Sequence, residues 1–384
     1  MADFLEQKPL YYSEIDYTRM PRAYAFIKDK LTIPPLIHLV GTNGKGTTGR
    51  FIAQALFASG YSVGHYTSPH IRLFNERIWL NGSYVNDEQL EKAHKKLFAL
   101  LTEEFRASLS YFEYTTLLAM IIFQGCDYVV LEAGLGGEHD ATNVFEKTLS
   151  VITPIGIDHE DFLGQSIREI AGTKLRSVTN RAILGEQRFK EVYEVAAELQ
   201  KDSELRFIDY KECLGEADIR LAEEISTQKE LPHYLQENLL LAMAAFKKLG
   251  FKVKKKLFES QRLEGRMQRI KKNVWLDVGH NTLAAEAISH CFFPKSMNLV
   301  YNSYRDKEYR SILHLLAPIV KKVEIMPVEN ERMVAREELV SAIVDNGLKC
   351  SVFEGINEDE NYLVFGSFSV AEAFVKFLDR LSTP

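Results

Sequence analysis

The chain is poor in cysteine: Cys126, Cys213, Cys291 and Cys350 are scattered through 384 residues without CxxC or CxH spacing. That pattern argues against both a disulfide framework and a structural zinc site, and is expected of reduced thiols. Long apolar runs are missing too. Stretches such as Leu117 to Phe123 fall far short of the roughly 20 residues that span a bilayer. No basic excess is present: 47 Lys and Arg against 53 Asp and Glu give a net charge of -6. Nucleic acid is therefore not expected as a partner. The opening stretch MADFLEQKPLYYSEIDYTRM has neither a positive n-region nor an apolar h-region. No secretory signal is read there, and a cytoplasmic protein with no membrane partner is expected. Internal repeats and low-complexity tracts are also lacking.

What is present is an alternation of short β-branched runs with longer amphipathic stretches, the pattern of βαβ units around a mostly parallel sheet. Strands are expected at Leu36 to Val40, Ser62 to Tyr66, Tyr128 to Leu131, Leu149 to Thr153 and Arg181 to Leu184. The lysine-rich FKVKKKLFES, from Phe251 to Ser260, reads as a solvated boundary. Beyond it the alternation restarts at Val274 to Leu276, Met297 to Tyr301, Lys322 to Met326 and Tyr362 to Phe365. Helices are expected at Ala335 to Asn346 and Val370 to Leu381. The expected fold is α/β in two domains: residues 1–258 with a P-loop-type ATPase architecture, and 263–384 as a smaller Rossmann-like domain.

The run HLVGTNGKGTTGRFIAQAL departs from GxxxxGK[ST], because Gly46 follows Lys45 and the hydroxyls come at Thr47 and Thr48. A phosphate cradle needs glycines, inward backbone N–H groups at a helix N-terminus and a cation. Gly41, Thr42, Asn43, Gly44, Lys45, Gly46 and Thr47 supply these between an apolar strand and an amphipathic stretch over Thr48 to Ser59, and nucleotide binding is expected. If Lys45 holds phosphates, a magnesium ion should be nearby, with Thr47 as its hydroxyl ligand and Glu132, ending YVVLE, as a carboxylate ligand. Glu132 could equally cap a helix or pair with an arginine. Asp158 and His159 follow the strand SVIT at a sheet edge where open α/β folds bind ligands. Asp277, His280 and Asn281 in VWLDVGHN stand at another strand end. They could contact ribose and phosphate, or make an Asx turn and a helix cap.

Taken in order, GTNGKGTT, TSPHIRLFNERI (Thr67 to Ile78), EAGLGGEHDATN (Glu132 to Asn143), ITPIGIDH, GRMQ (Gly265 to Gln268), DVGHN and VFGSFSVAEAF resemble the motifs of the folylpolyglutamate synthase and dihydrofolate synthase family, within the Mur ligase superfamily. The resemblance implies ATP-dependent addition of L-glutamate to dihydropteroate or a reduced folate through an acyl phosphate. It implies that Lys45, with Thr42, Asn43, Thr47 and Thr48 of the loop, binds ATP, that Glu132 and His159 ligate magnesium, and that Lys174 is the family lysine whose carbamylation provides for a second magnesium. Asn238 and Arg266 would contact the ATP base and phosphates, while Asp277 and His280 would close the site from the second domain, about a hinge near Lys252 to Leu263. A monomer is expected. From the residues alone, Lys174 is a helix lysine whose default is a surface salt bridge.

Three departures stand out. The family GGRLDATN has Glu138 and His139 in place of its arginine and leucine. The family HQxxN appears as Tyr234-Leu235-Gln236-Glu237-Asn238, and Thr173 replaces the usual acidic neighbour of Lys174. The alternatives are a related Mur-type amino-acid ligase and a non-catalytic nucleotide-binding switch, which substrate-dependent ADP release would separate from an enzyme.

Overall fold

A computed structural model describes residues 1–9, 16–201, 203–259 and 263–382. The chain divides into two compact units: Met1–Gly156 with Glu160–Leu231 and Leu235–Gln261, and Ile157–His159 with Pro232–Tyr234 and Arg262–Pro384. The segment from Lys252 to Leu263 expected as a hinge includes 260–262, which lie outside the described residues.

The first unit holds eight strands: β1 (Leu36–Val40), β2 (Val63–Tyr66), β3 (Ile78–Leu80), β4 (Ser83–Tyr84), β5 (Tyr128–Glu132), β6 (Leu149–Ile152), β7 (Arg181–Leu184) and β8 (Arg206–Asp209). They form one sheet in the order β4-β3-β2-β5-β1-β6-β7-β8. All pairs are parallel except β2 with β3 and β3 with β4. β1 lies between β5 and β6, and all five of its residues are buried. A strand covered on both faces can be apolar throughout, which is why LIHLV shows no alternation. His38 is its one polar residue, and its Nε2 lies 2.8 Å from the Thr142 hydroxyl.

The second unit holds β9 (Gln268–Lys271), β10 (Val274–Leu276), β11 (Met297–Tyr301), β12 (Val320–Ile325), β13 (Cys350–Val352) and β14 (Tyr362–Phe365), in the order β13-β12-β11-β14-β10-β9. Only the β9 edge is antiparallel. Its core gathers Leu299, Tyr301, Ile312, Leu316, Ile343, Leu363 and Phe365. Among the described residues no helix is long and apolar enough to cross a membrane.

The strand and helix expectations stand within a few residues, with one consequential shift. The helix expected from Thr48 begins at Lys45 and runs to Ala58, with Gly44 as its N-cap. Thr47 and Thr48 are therefore first-turn helical residues. Among the described residues five strands escaped the sequence reading: β3 and β4, which form a hairpin, and β8, β9 and β13. Each lies at or next to a sheet edge, where half-exposed strands carry little apolar signal.

Candidate active site

The phosphate-type loop leaves β1 at Gly41, where a Cβ would stand 2.0 Å from Thr153 Oγ1. Only glycine permits that approach. The loop is pinned to the segment after β6: the N–H groups of Thr42 and Asn43 donate to the Pro154 carbonyl at 2.9 and 3.2 Å. The Thr42 hydroxyl donates to the Gly156 carbonyl at 3.1 Å and accepts from its N–H at 3.0 Å. Gly44 follows at φ 88°, the left-handed region that favours glycine, and a Cβ there would meet Asn238 Oδ1 at 2.4 Å. Asn238, buried on the helix His233–Lys248, thus lies directly against the loop.

Lys45 folds back over the loop, its Nζ donating to the carbonyls of Gly41 at 3.2 Å and Thr42 at 3.3 Å, with Glu132 Oε1 at 4.0 Å. Thr47 Oγ1 and Thr48 Oγ1 are buried, and neither has a hydrogen-bond partner among the described residues. A buried hydroxyl left unpaired is costly unless something else satisfies it. At the first turn of a helix, where N–H groups are also unpaired, that something is an anion or its metal. The residues present therefore fit a phosphate-bound magnesium.

Glu132 is the last residue of β5 and is 5% exposed. Its Oε2 accepts from the Thr67 hydroxyl and from the Ser68 N–H, the latter at 3.3 Å. The TSPHIRLFNERI segment thus holds the carboxylate, a link the sequence did not disclose. That segment is braced internally, because Glu76 accepts from the N–H groups of Ile71, Arg72 and Leu73 at 2.7 to 2.8 Å.

Lys174 overturns its default as a surface salt bridge. It is 4% exposed, and its Nζ donates to the Gly41 carbonyl at 3.0 Å. The reason is the EAGLGG loop, whose Gly137 lies so close that a Cβ would meet the Lys174 carbonyl at 2.8 Å. Glu138, which stands where the family has arginine, accepts from Arg176 Nε at 2.5 Å. Its charge is thereby compensated from the helix that carries Lys174. His139 packs against Tyr17 with ring centroids 4.3 Å apart and the planes tilted by 38°.

In the second unit, Asp158 is the centre of a polar cluster. Its Oδ1 accepts from Lys307 Nζ at 2.6 Å, its Oδ2 accepts from Asn281 Nδ2 at 3.1 Å, and His280 Nε2 lies 3.7 Å away. Burial would raise this carboxyl, but the charges of His280, His159 and Lys307 outweigh it and hold Asp158 well below the ordinary carboxylate range. His280 Nδ1 donates to the Val278 carbonyl at 3.1 Å, which turns Nε2 toward Asp158. Burial lowers its pKa, and Asp158 opposes the shift. His159 sits at φ 56°, in the left-handed region, with its N–H on Asp158 Oδ1 at 3.0 Å. Asn281 also caps the helix Thr282–Phe292 through the Ala284 N–H, so the cap reading holds alongside the cluster. Lys307, 7% exposed, was invisible as a member of this group.

Asp277 at the end of β10 is fully engaged by protein. Oδ2 accepts from Tyr234 Oη at 2.7 Å and from the Met267 N–H at 2.9 Å, and Oδ1 accepts from the Gly279 N–H at 2.8 Å. Arg266 lies beside it, its guanidinium 5.8 Å from the Phe368 ring centre. The structure therefore gathers Gly41 to Thr48, Glu132, Lys174 and Asn238 in the first unit, and His159, Arg266, Asp277 and His280 in the second. Among the described residues no group of three or more His, Cys, Asp or Glu is assembled to hold a metal.

Comparison with known proteins gives a consistent picture. Residues 39–239 match the Mur ligase middle domain. The dihydrofolate synthase/folylpolyglutamate synthase of Escherichia coli is 32% identical over 372 residues, covering 90% of this chain and 87% of the relative. That of Buchnera aphidicola from Schizaphis graminum is 32% identical over 377 residues, covering 89% and 88%. Among solved structures, Helicobacter pylori folylpolyglutamate synthetase superposes with a TM-score of 0.80 at 37% identity, covering 99% of this chain and 98% of that one. Escherichia coli FolC in complex with DHPP and ADP superposes with a TM-score of 0.82 at 27% identity, covering 99% and 97%.

Proposed function

This chain belongs to the folylpolyglutamate synthase/dihydrofolate synthase family of the Mur ligases, and from that premise we propose that it is an ATP-dependent ligase joining L-glutamate to dihydropteroate, a reduced folate, or both. The observation that carries the reading is the loop itself. Lys45 lies over the Gly41 and Thr42 carbonyls and faces Glu132 at 4.0 Å, while the Thr47 hydroxyl at the helix N-terminus is buried with no partner among the described residues.

The chemistry has to make a carboxylate acylate an amine. Oxide is a poor leaving group, so the acceptor carboxylate first attacks the γ-phosphorus of ATP, forming an acyl phosphate and releasing ADP. The α-amine of glutamate then adds to the acyl carbon, loses a proton, and expels phosphate. Lys45 offsets negative charge during phosphoryl transfer, an effect worth several kcal/mol, or roughly 10²- to 10⁴-fold in rate. Gly41, Thr42, Asn43, Gly44, Gly46 and Thr48 shape the cradle, and Asn238 and Arg266 contact the nucleotide. The proposed magnesium ligands are Thr47, Glu132 and His159, with Lys174 as well once it is carbamylated. Carbamylation joins the neutral amine to carbon dioxide with loss of a proton, turning a cation into an anionic ligand. Magnesium, when bound, is a hard cation that neutralises phosphate oxygens.

We assign ATP and folate binding to 1–258 and the glutamate-ligase part to 263–384. A cytoplasmic monomer acting on small molecules accords with the net charge of -6 and the reduced-thiol pattern. Purified protein with ATP, magnesium and glutamate is assayed against dihydropteroate and tetrahydrofolate in parallel. Glutamate-dependent ADP release with at least one acceptor, abolished by Lys45→Ala, is the expected result. Phosphate release with neither acceptor, or normal turnover by Lys45→Ala, refutes the assignment.

A further inference from the structure

Asp277, which on its sequence position could accept hydrogen bonds from a ribose or make an Asx turn, accepts three from protein: Tyr234 Oη, the Met267 N–H and the Gly279 N–H. Two of these donors are instructive. Tyr234 occupies the position that holds histidine in the family HQxxN motif. Met267 is a non-glycine residue at φ 42°, a conformation that persists only where the surroundings fix it. The turn around it is held from several sides. Gly265 stands at φ 71°, its N–H donates to Gln268 Oε1 at 2.9 Å, and its carbonyl accepts from the Val278 N–H at 3.0 Å. Arg266 sits between these two left-handed residues, with the Phe368 ring on one side of its guanidinium.

We propose that Tyr234 is a positioning residue for nucleotide binding: its hydroxyl fixes the Asp277 carboxylate, which holds the Gly265–Met267 turn and so aims Arg266. At this position the need is a protonated group that reaches the Asp277 carboxylate, which the Tyr234 phenol does at 2.7 Å. Burial, and then the Asp277 charge, raise the Tyr234 pKa well above its ordinary value, so the phenol keeps its proton to donate. Asp277 thereby acts through protein groups, and specificity for the phosphates of a nucleoside triphosphate falls on Arg266. A guanidinium serves such a role only when its fork is pre-oriented.

The inference rests on the proposed ATP chemistry, and its test separates the two. Tyr234→Phe keeps the ring and removes only the donor. The expected result is an ATP KM raised about tenfold, with the KM values for glutamate and the folate acceptor unchanged and the melting temperature lowered by no more than a few degrees, the scale of one hydrogen bond lost from a buried carboxylate. Arg266→Ala raises the ATP KM by at least as much, and the Tyr234→Phe/Arg266→Ala double variant is no worse than Arg266→Ala alone, because one residue acts through the other. An unchanged ATP KM in Tyr234→Phe, additive effects in the double variant, or a uniform loss tracking a fall in melting temperature each overturns the positioning role while leaving the ligase assignment intact. A parent protein that makes no ATP-dependent glutamate adduct overturns the ligase assignment instead.

Discussion

Gly44→Ala is the most informative single change in the phosphate loop, because two separable costs fall on one methyl group. The first is backbone strain: alanine at φ 88° enters the left-handed region, at about 1–2 kcal/mol. The second is steric. The new Cβ would stand 2.4 Å from Asn238 Oδ1 and 3.1 Å from its Cγ, so the buried amide must retreat by about 1 Å to reach ordinary contact. Overpacking of that kind costs about 1–3 kcal/mol. Gly60→Ala supplies the control at the far end of the same helix: at φ 96° it meets nothing within 4 Å and bears only the backbone term. Both variants should lose stability, Gly44→Ala by about 1–3 kcal/mol more. Only Gly44→Ala should lose nucleotide affinity, by about 10²-fold, since a shift near 1 Å at a positioning group has that scale. Calorimetric titration with ATP and magnesium, beside thermal melts of the free proteins, reads both quantities. Parental ATP affinity in Gly44→Ala would refute the claim that close approach of the loop to Asn238 shapes the nucleotide site.

Thr47→Val removes a buried hydroxyl that has no partner among the described residues, so the free protein should melt no lower than the parent while ligase turnover drops about 100-fold; a lower melting point with normal turnover would reverse the reading. Lys307→Met strips the 2.6 Å cation from buried Asp158 and should cost about 3–5 kcal/mol, part of it recovered by adding Asp158→Asn, as denaturant melts of the single and double variants will measure. Burial, and then the Lys147 charge, hold His38 at a pKa of about 3. The unfolded chain takes up a proton near pH 6.5 that the folded chain refuses, so this contribution is complete above about pH 6.5 and falls by about 1.4 kcal/mol per unit as pH drops toward 3. His65, also lowered well below its usual value by burial and Arg50, acts in the same direction; melting points flat from pH 7 to 5 would contradict both. Chelating magnesium should abolish most of the ATP-induced rise in melting temperature, measured with and without EDTA.

Much of this molecule was legible because its central strands are apolar runs flanked by glycine. LIHLV, YVVL and RAIL sit fully or nearly covered in a parallel sheet, and the ends of the first two meet the loop and the carboxylate that carry the chemistry. Burial on both faces writes itself into composition, so β1, β7, β10, β11 and β14 have the bounds the residues suggested. Edge strands leave no such record. β13, CSV, carries one exposed and two half-exposed residues, and β9, QRIK, pairs antiparallel at the sheet margin with an irregular register.

The site divides along a different line, between residues named by their neighbours in sequence and residues named by their partners in space. Lys45, Thr47 and Glu132 announce themselves, because a glycine loop and a strand terminus are local patterns. Lys307 does not: it meets Asp158 across 149 positions, and nothing in YRDKEYR distinguishes it from a solvated charge. The burial of Lys174 was hidden for the same reason, since it depends on Gly137 and Gly41, two loops distant in the chain. Departures from a motif have partners in space too. Glu138, in place of the family arginine, accepts from Arg176, and Tyr234, in place of the family histidine, donates to Asp277. A departure at a motif position is therefore read through its partner in space, and here both altered residues are met by a hydrogen bond.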